Sequence, residues 1–215
     1  MCEGQTEEMF VNEVLCEPLA IKGIYLYPSL VGKPGHKGGN FKYERVLRDI
    51  RNRLLDDENS FCTTFFDFYG LPEDFPGKQE ALSQNQPVDK SRILIEHFLK
   101  KLKEDIGDDA LTRFIPYIQL YEFEALLFSC PASIASEIGS QLEQKLIQIR
   151  NAFQTPEHIN NSPVTAPSKR IMEICKSYDK VLHGSLIAMD VGVERMREEC
   201  ILFNEWMSRL QALSV

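Results

Sequence analysis

The apolar positions fall into two regimes. From Thr6 to Leu19, Met9, Phe10, Val14 and Leu15 recur at helical spacing, with Thr6 placed as N-cap and Glu7 and Glu8 in the first turn, where acids complement the helix dipole. Ile24–Val31 (IYLYPSLV) is rich in aromatic and aliphatic residues and predicts a strand, with Pro28 marking an edge or an irregularity. Gly32–Asn40 reads as a glycine-rich loop. Phe41–Leu55 follows as a helix, with Val46, Leu47, Ile50 and Leu54 on its apolar side. Phe61–Phe68 (FCTTFFDF) is the clearest strand, a short apolar run suited to a buried parallel sheet. An irregular loop, Tyr69–Pro87, leads to a helix over Val88–Ile106, then a strand at Phe114–Leu120 and a helical turn from Tyr121 to Leu127.

That alternation predicts an α/β fold with a mostly parallel sheet flanked by helices, occupying residues 1–128. Beyond Phe128 the strand signals stop. Gln141–Phe153, Ser168–Ser177, Leu186–Cys200 and Phe203–Leu213 all carry helical patterns, so residues 129–215 read as a helical annex packed on the core as one structural unit.

Composition narrows the function classes. Hydrophobic residues at 43% and charged residues at 26% are ordinary for a globular chain, which argues against disorder. No apolar run approaches the roughly 18–20 residues that would cross a bilayer. The six cysteines never form a CxxC pair, which points away from zinc and toward reduced thiols in a cytoplasmic protein. A net charge of −8 is unsuited to coating DNA, where phosphate neutralisation supplies much of the affinity. Clustered carboxylates can still meet phosphates through divalent ions, or a partner can supply the nucleic-acid grip.

Ligands of open α/β sheets bind at the C-terminal ends of the strands. Asp67 closes one predicted strand, Glu122 and Glu124 follow another, and Glu3 and Glu7 belong to the EGQTEE turn. Taken singly, each acid is as well explained as a helix-start residue or a turn former. Together they could converge on one sheet edge as oxygen ligands for Mg²⁺ or Mn²⁺, two of which can clamp a phosphoryl transfer. Among the bases, Lys169 and Arg170 sit at a predicted helix start capped by Ser168. Lys180 lies in the YDKVLHG turn, from which it could fold back over the sheet edge and stabilise a leaving oxygen. Lys37 and Lys42 could touch a nucleic-acid backbone, while the Gly32–Asn40 loop does not fit a phosphate-binding GxxxxGK[ST] motif.

The runs EGQTEE, YERVLRDIR, TTFFDFYGLPEDFPG, FIPYIQLYEFEALLFS, APSKRI, YDKVLHG and ECILFNEW resemble a bacterial domain family of unknown function grouped with the Toprim-like fold. The resemblance covers nearly the whole chain. It implies likeness to the nuclease part of overcoming-lysogenization-defect proteins, and with it metal-dependent cleavage of DNA or RNA beside a partner ATPase in anti-phage defence. In that pattern Glu3 with Gly4 matches the first acidic motif, Glu7 its second acid, and Asp67 the first Asp of an Asp-x-Asp. Tyr69 stands where the second Asp belongs, and Glu122 or Glu124 would replace the lost ligand. The resemblance also places a strand before the first motif. Here that motif starts at residue three, so either the coding start is set late or the sheet has lost a strand. Two alternatives stay open: a non-catalytic Toprim-like module that binds a partner protein, and a toxin-like RNase or nucleotidyl transferase using the same acids. Oligomeric state is not legible.

Overall fold

A computed structural model describes residues 1–31, 42–160 and 162–213. The Gly32–Asn40 loop, and Lys37 with it, lies outside the described residues. The chain opens with α1 (Gln5–Phe10), which runs through a π-helical turn (Val11–Leu15) into α2 (Cys16–Ala20). The N-cap is Gly4 rather than Thr6, which is buried within the first turn. α3 (Tyr43–Asp56) and α5 (Pro87–Ile106) follow the predicted periodicity, and α4 (Lys78–Leu82) forms within the predicted irregular loop.

The sheet is parallel and short. β1 (Cys62–Thr63) pairs with β3 (Phe114–Ile115), and β2 (Phe66–Asp67) pairs with β4 (Ile118–Gln119). Single parallel bridges join Cys2 to Leu30 on one side and to Phe65 on the other, so residues 1–2 stand between the segment ending at Leu30 and the β1/β2 run. Of the predicted strand Ile24–Val31 only Leu30 enters a bridge. Tyr25 and Tyr27 project into solvent, and the segment ahead of Pro28 is unpaired in the ladder.

The two long strand signals are each cut in half for one local reason. Pro116 has no N–H to give the ladder. The Thr64 hydroxyl takes over that stretch, donating to the Tyr117 carbonyl at 2.9 Å and accepting the Tyr117 N–H at 3.0 Å. A Thr64→Val variant keeps the shape and removes the bridge, leaving a buried N–H unsatisfied. It should cost about 1–3 kcal/mol in chemical denaturation; an unchanged midpoint would show that the hydroxyl does not hold the two runs together.

Beyond β4 come α6 (Glu124–Leu127), α7 (Pro131–Ile138), α8 (Glu143–Asn151), α9 (Pro167–Ile174), α10 (Leu182–Val191), α11 (Val193–Glu199) and α12 (Ile201–Gln211). The predicted Leu186–Cys200 helix is two helices, because Gly192 turns at φ +74°, a conformation that side-chain-bearing residues rarely adopt. Helices and sheet share one apolar core. Phe65 stacks on the rings of Tyr117 and Trp206, with centroids 5.5 Å from each, and Phe10 and Phe123 pack on the same cluster. Trp206 belongs to α12, so the C-terminal helix is seated directly on the strands. Its indole N–H donates to the Thr63 hydroxyl at 2.8 Å.

Candidate functional site

The parallel ladder brings Asp67 to the end of β2, and the reversal after β4 brings Glu124 to the start of α6. Glu3 follows the Cys2 bridges directly, and Glu7 lies in the first turn of α1. Glu3 faces Asp67, for its Oε2 accepts the Asp67 N–H at 3.1 Å. Its carboxylate lies so close over Gly70 that a Cβ there would come within 1.9 Å of Glu3 Oε1. Glu7 reaches back to accept the Gly4 N–H at 2.8 Å and is buried.

Lys180, from the turn before α10, closes the group. Its ammonium stands 3.1 Å from Glu124 Oε2 and 3.6 Å from Asp67 Oδ2. Among the described residues, Asp67 Oδ1, both Glu124 oxygens and the Tyr178 and Tyr43 hydroxyls are buried without a partner in strict hydrogen-bond geometry, although Tyr178 and Glu124 lie close enough to act as a hydrogen-bonding pair. Buried polar groups are nearly always paired, so Asp67 Oδ1 is the site oxygen that stands out.

The electrostatics follow from that crowding. Burial, then the neighbouring Glu7, raises the Glu3 carboxyl to about 7. Burial likewise raises Glu124 to about 7, against the pull of Lys180. Glu7 and Asp67 are also pushed up, by burial first, with the Glu7 charge adding to the rise at Asp67. Burial works against the Lys180 ammonium, but Glu124, Asp67, Glu122 and Glu7 outweigh it and hold its pKa well above the usual lysine value. Carboxylates that share a buried site resist ionising together, and a nearby cation relieves them.

Glu122 stands at the margin of the group: it accepts the Ser168 N–H at 2.9 Å at the first turn of α9, while its charge still acts on Glu3, Glu7, Glu124 and Lys180. The remaining predicted residues lie elsewhere. Ser168, predicted as that helix's own cap, instead lies inside α9. Arg170 donates to the Thr165 carbonyl at 2.8 Å and covers the Phe153 ring, a structural role. Lys42 and Lys169 are exposed, and no described hydrogen bond or ion pair joins them to the acids. Tyr69, at the place of the second Asp of the resembled motif, donates its hydroxyl to Asn160 at 2.6 Å. Two participants carried no role in the sequence reading. Gly70 gives the Glu3 carboxylate room, and Tyr178 packs its hydroxyl beside Gly184 and Glu124. Both lie in quoted motifs, DFYG and YDKVLHG, but only the three-dimensional contact reveals them.

Among the described residues no three His, Cys, Asp or Glu side chains are already drawn together as an ion's ligand set. The donors do fit a hard cation chemically. All are carboxylate oxygens, and one of them, Asp67 Oδ1, is buried without a hydrogen-bond partner. A family model described as a domain of unknown function, DUF4276, matches residues 2–211. No curated protein matches the chain, and no solved structure does.

Proposed function

The chain belongs to the DUF4276 family, and we propose that it is a Mg²⁺- or Mn²⁺-dependent phosphodiesterase, a nuclease acting on DNA or RNA. The observation that carries this reading is the buried Asp67 Oδ1, which has no hydrogen-bond partner, gathered with Glu3, Glu124 and Lys180 at the strand ends. Such a group is costly to bury and is the kind of strained, charged arrangement that active sites retain. The Toprim-like resemblance of the sequence supplies the substrate class.

Glu3, Glu7 and Asp67 would hold the ion. Once bound, it contributes Lewis acidity toward a phosphoryl oxygen and toward water. Glu124 fixes the Lys180 ammonium, which neutralises the negative charge that grows on the leaving oxygen. Gly70 leaves the space in which Glu3 meets the Asp67 N–H. An overall charge of −8 repels a long polyanion, so a partner carries the nucleic-acid contacts. The resemblance suggests an ATPase in anti-phage defence, in a cytoplasmic setting.

Asp67→Asn should lower Mn²⁺-dependent cleavage by more than about 100-fold, since even residues that support a metal ligand are worth 10–100-fold, with the circular dichroism spectrum unchanged. Wild type that cuts neither DNA nor RNA with Mn²⁺ and its partner ATPase, or an Asp67→Asn enzyme that cuts as well as wild type, would refute the reading. Tyr69 favours one competing view, a non-catalytic module that binds a partner protein. Its phenol is engaged with Asn160 at the place of the second Asp. That view expects no calorimetric heat with Mn²⁺.

A further inference from the structure

We propose that the outer face of α10, with the crevice beside it, is the docking surface for an amphipathic helix of another protein, one that carries lysine or arginine along its flanks. This goes beyond the phosphodiesterase reading and does not rest on it.

The sequence of α10 (LHGSLIAMDV) is apolar on nearly every side. A helix of that kind is normally enclosed within its own protein. The inner face of α10 is enclosed: Ser185, Ile187, Ala188 and Val191 are buried, and the helix lies against α1, the π-helical turn and α6. Its outer face is open. Leu182, Leu186 and Met189 are 56%, 42% and 53% exposed, and their i, i+4, i+7 spacing aligns them as one stripe. Single exposed apolar side chains are ordinary, whereas an aligned set on an apolar helix marks a contact surface. The same spacing is the one through which helices engage partner surfaces.

The stripe runs into a crevice between the π-helical turn and α2 on one side and the junction of α10 with α11 on the other, and Met189 belongs to both. Val14 and Val193 line the crevice as buried side chains, and Pro18 lies beside them. Exposed Glu13, Glu17 and Glu194 stand around this apolar floor. An apolar centre with a charged rim is the anatomy of a protein interface.

Charge selects the occupant. Arg195 also lines the crevice, but its guanidinium is turned to Glu198 at 3.0 Å and Glu199 at 2.8 Å, so it does not neutralise the rim. Asp190, exposed and next to Met189, adds a further acid. Such a surface repels nucleic acid and the anionic face of a membrane. A second copy of this chain, paired through the same patch, would set these acids against themselves. A helix with apolar residues at matching spacing and basic residues beside them satisfies the stripe and the rim together.

The test is fluorescence anisotropy of the full chain with a labelled synthetic helix of leucine and lysine, its leucines at helical spacing. Two controls accompany it: the same composition in scrambled order, and glutamate in place of lysine. Wild type should bind the first peptide and neither control. Leu186→Asp, an exposed position, should weaken binding by at least about 10-fold, the worth of one buried leucine, with an unchanged circular dichroism spectrum. Glu13→Lys combined with Glu17→Lys should weaken it too and flatten its salt dependence. Wild type that binds none of the peptides, or binds ordered and scrambled ones alike, would overturn the inference, and neither result needs a variant to fold. Binding untouched by Leu186→Asp would overturn it equally. Sedimentation in which wild type pairs with itself and Leu186→Asp does not would give the face to a second copy instead. No readout involves Mn²⁺ or cleavage, so the failure of this inference and that of the phosphodiesterase reading are separate results.

Discussion

Gly70→Ala is expected to separate the metal site from the fold. Gly70 ends the 3₁₀ turn Phe68–Gly70, and its backbone does not adopt the left-handed conformation reserved for glycine, so alanine is acceptable to the chain there. The atoms nearest the added methyl are at the far end of Glu3, whose Oε1, Oε2 and Cδ lie within 1.9–2.2 Å of the new Cβ. A glutamate side chain can swing away at little cost. In doing so it gives up the Asp67 N–H that it accepts at 3.1 Å, and leaves the place from which it would hold an ion. Melting temperature should fall by no more than about 10 °C, since a tolerated Gly→Ala is worth a few tenths to 1 kcal/mol and the released Asp67 N–H costs about 1–3 kcal/mol, at 2–4 °C per kcal/mol. Mn²⁺ affinity and cleavage should fall together by about 10–100-fold, the usual effect of misplacing a ligand. A Gly70→Ala protein that binds Mn²⁺ as tightly as wild type would mean that Glu3 is not a ligand. A variant that melts far lower would mean that Gly70 is needed by the backbone itself.

The Glu3–Gly70 contact shows what the sequence could and could not convey. Helices with strong local periodicity were legible to within a residue or two: the pattern predicts Val88–Ile106, and Pro87–Ile106 is found. The acids were legible as a set because each follows an apolar strand-like run, and parallel strands deliver such ends to one edge. Their division of labour was not. Glu122 and Glu124 are two residues apart, yet a left-handed turn at Tyr121 (φ 66°) sends one to cap α9 and the other to Lys180. That choice depends on Ser168 and Lys180, dozens of positions away, and no local pattern encodes it. Sheet extent misled for a similar reason. The Phe61–Phe68 run looked continuous, but its ladder is set by its neighbour, where Pro116 interrupts it. Likewise the first strand of the resembled pattern looked missing, while Met1 and Cys2 already hold hydrogen bonds to the segments on both sides. Phe65 donates its N–H to the Met1 carbonyl at 2.8 Å, and Cys2 donates its own to Ser29 at 2.8 Å.

The second large effect is on stability against pH, and its sign is the reverse of ordinary acid denaturation. In the folded protein Glu124 keeps its proton up to about pH 7, because burial penalises the charge more than Lys180 relieves it. An unfolded chain releases that proton near the usual glutamate value. Between those points the folded state holds more protons, so stability is fully present at low pH and is lost as pH rises through about 7. For Glu124 alone this is on the order of 3 kcal/mol, and Glu3, raised to about 7 as well, acts in the same direction. Lys180 does not cancel the slope, because its stabilisation is fully present throughout this window and fades only at far more alkaline pH. Metal-free wild type should therefore melt lower at pH 8 than at pH 5 by at least roughly 10 °C, the share of Glu124 alone at the 2–4 °C per kcal/mol typical of this size. Glu124→Gln removes one titrating group and should flatten the profile without abolishing it, since Glu3, Glu7, Asp67 and the distant Glu157, itself raised to about 7 by burial, remain. Saturating Mn²⁺ at pH 8 should restore wild type toward its pH 5 value, because the ion binds the ionised carboxylates that the folded state otherwise resists forming. A wild-type melting temperature that is flat or rises between pH 5 and 8 would contradict the burial of these acids. Glu124→Gln with an undiminished slope would show that the proton in question sits on another carboxylate of the cluster.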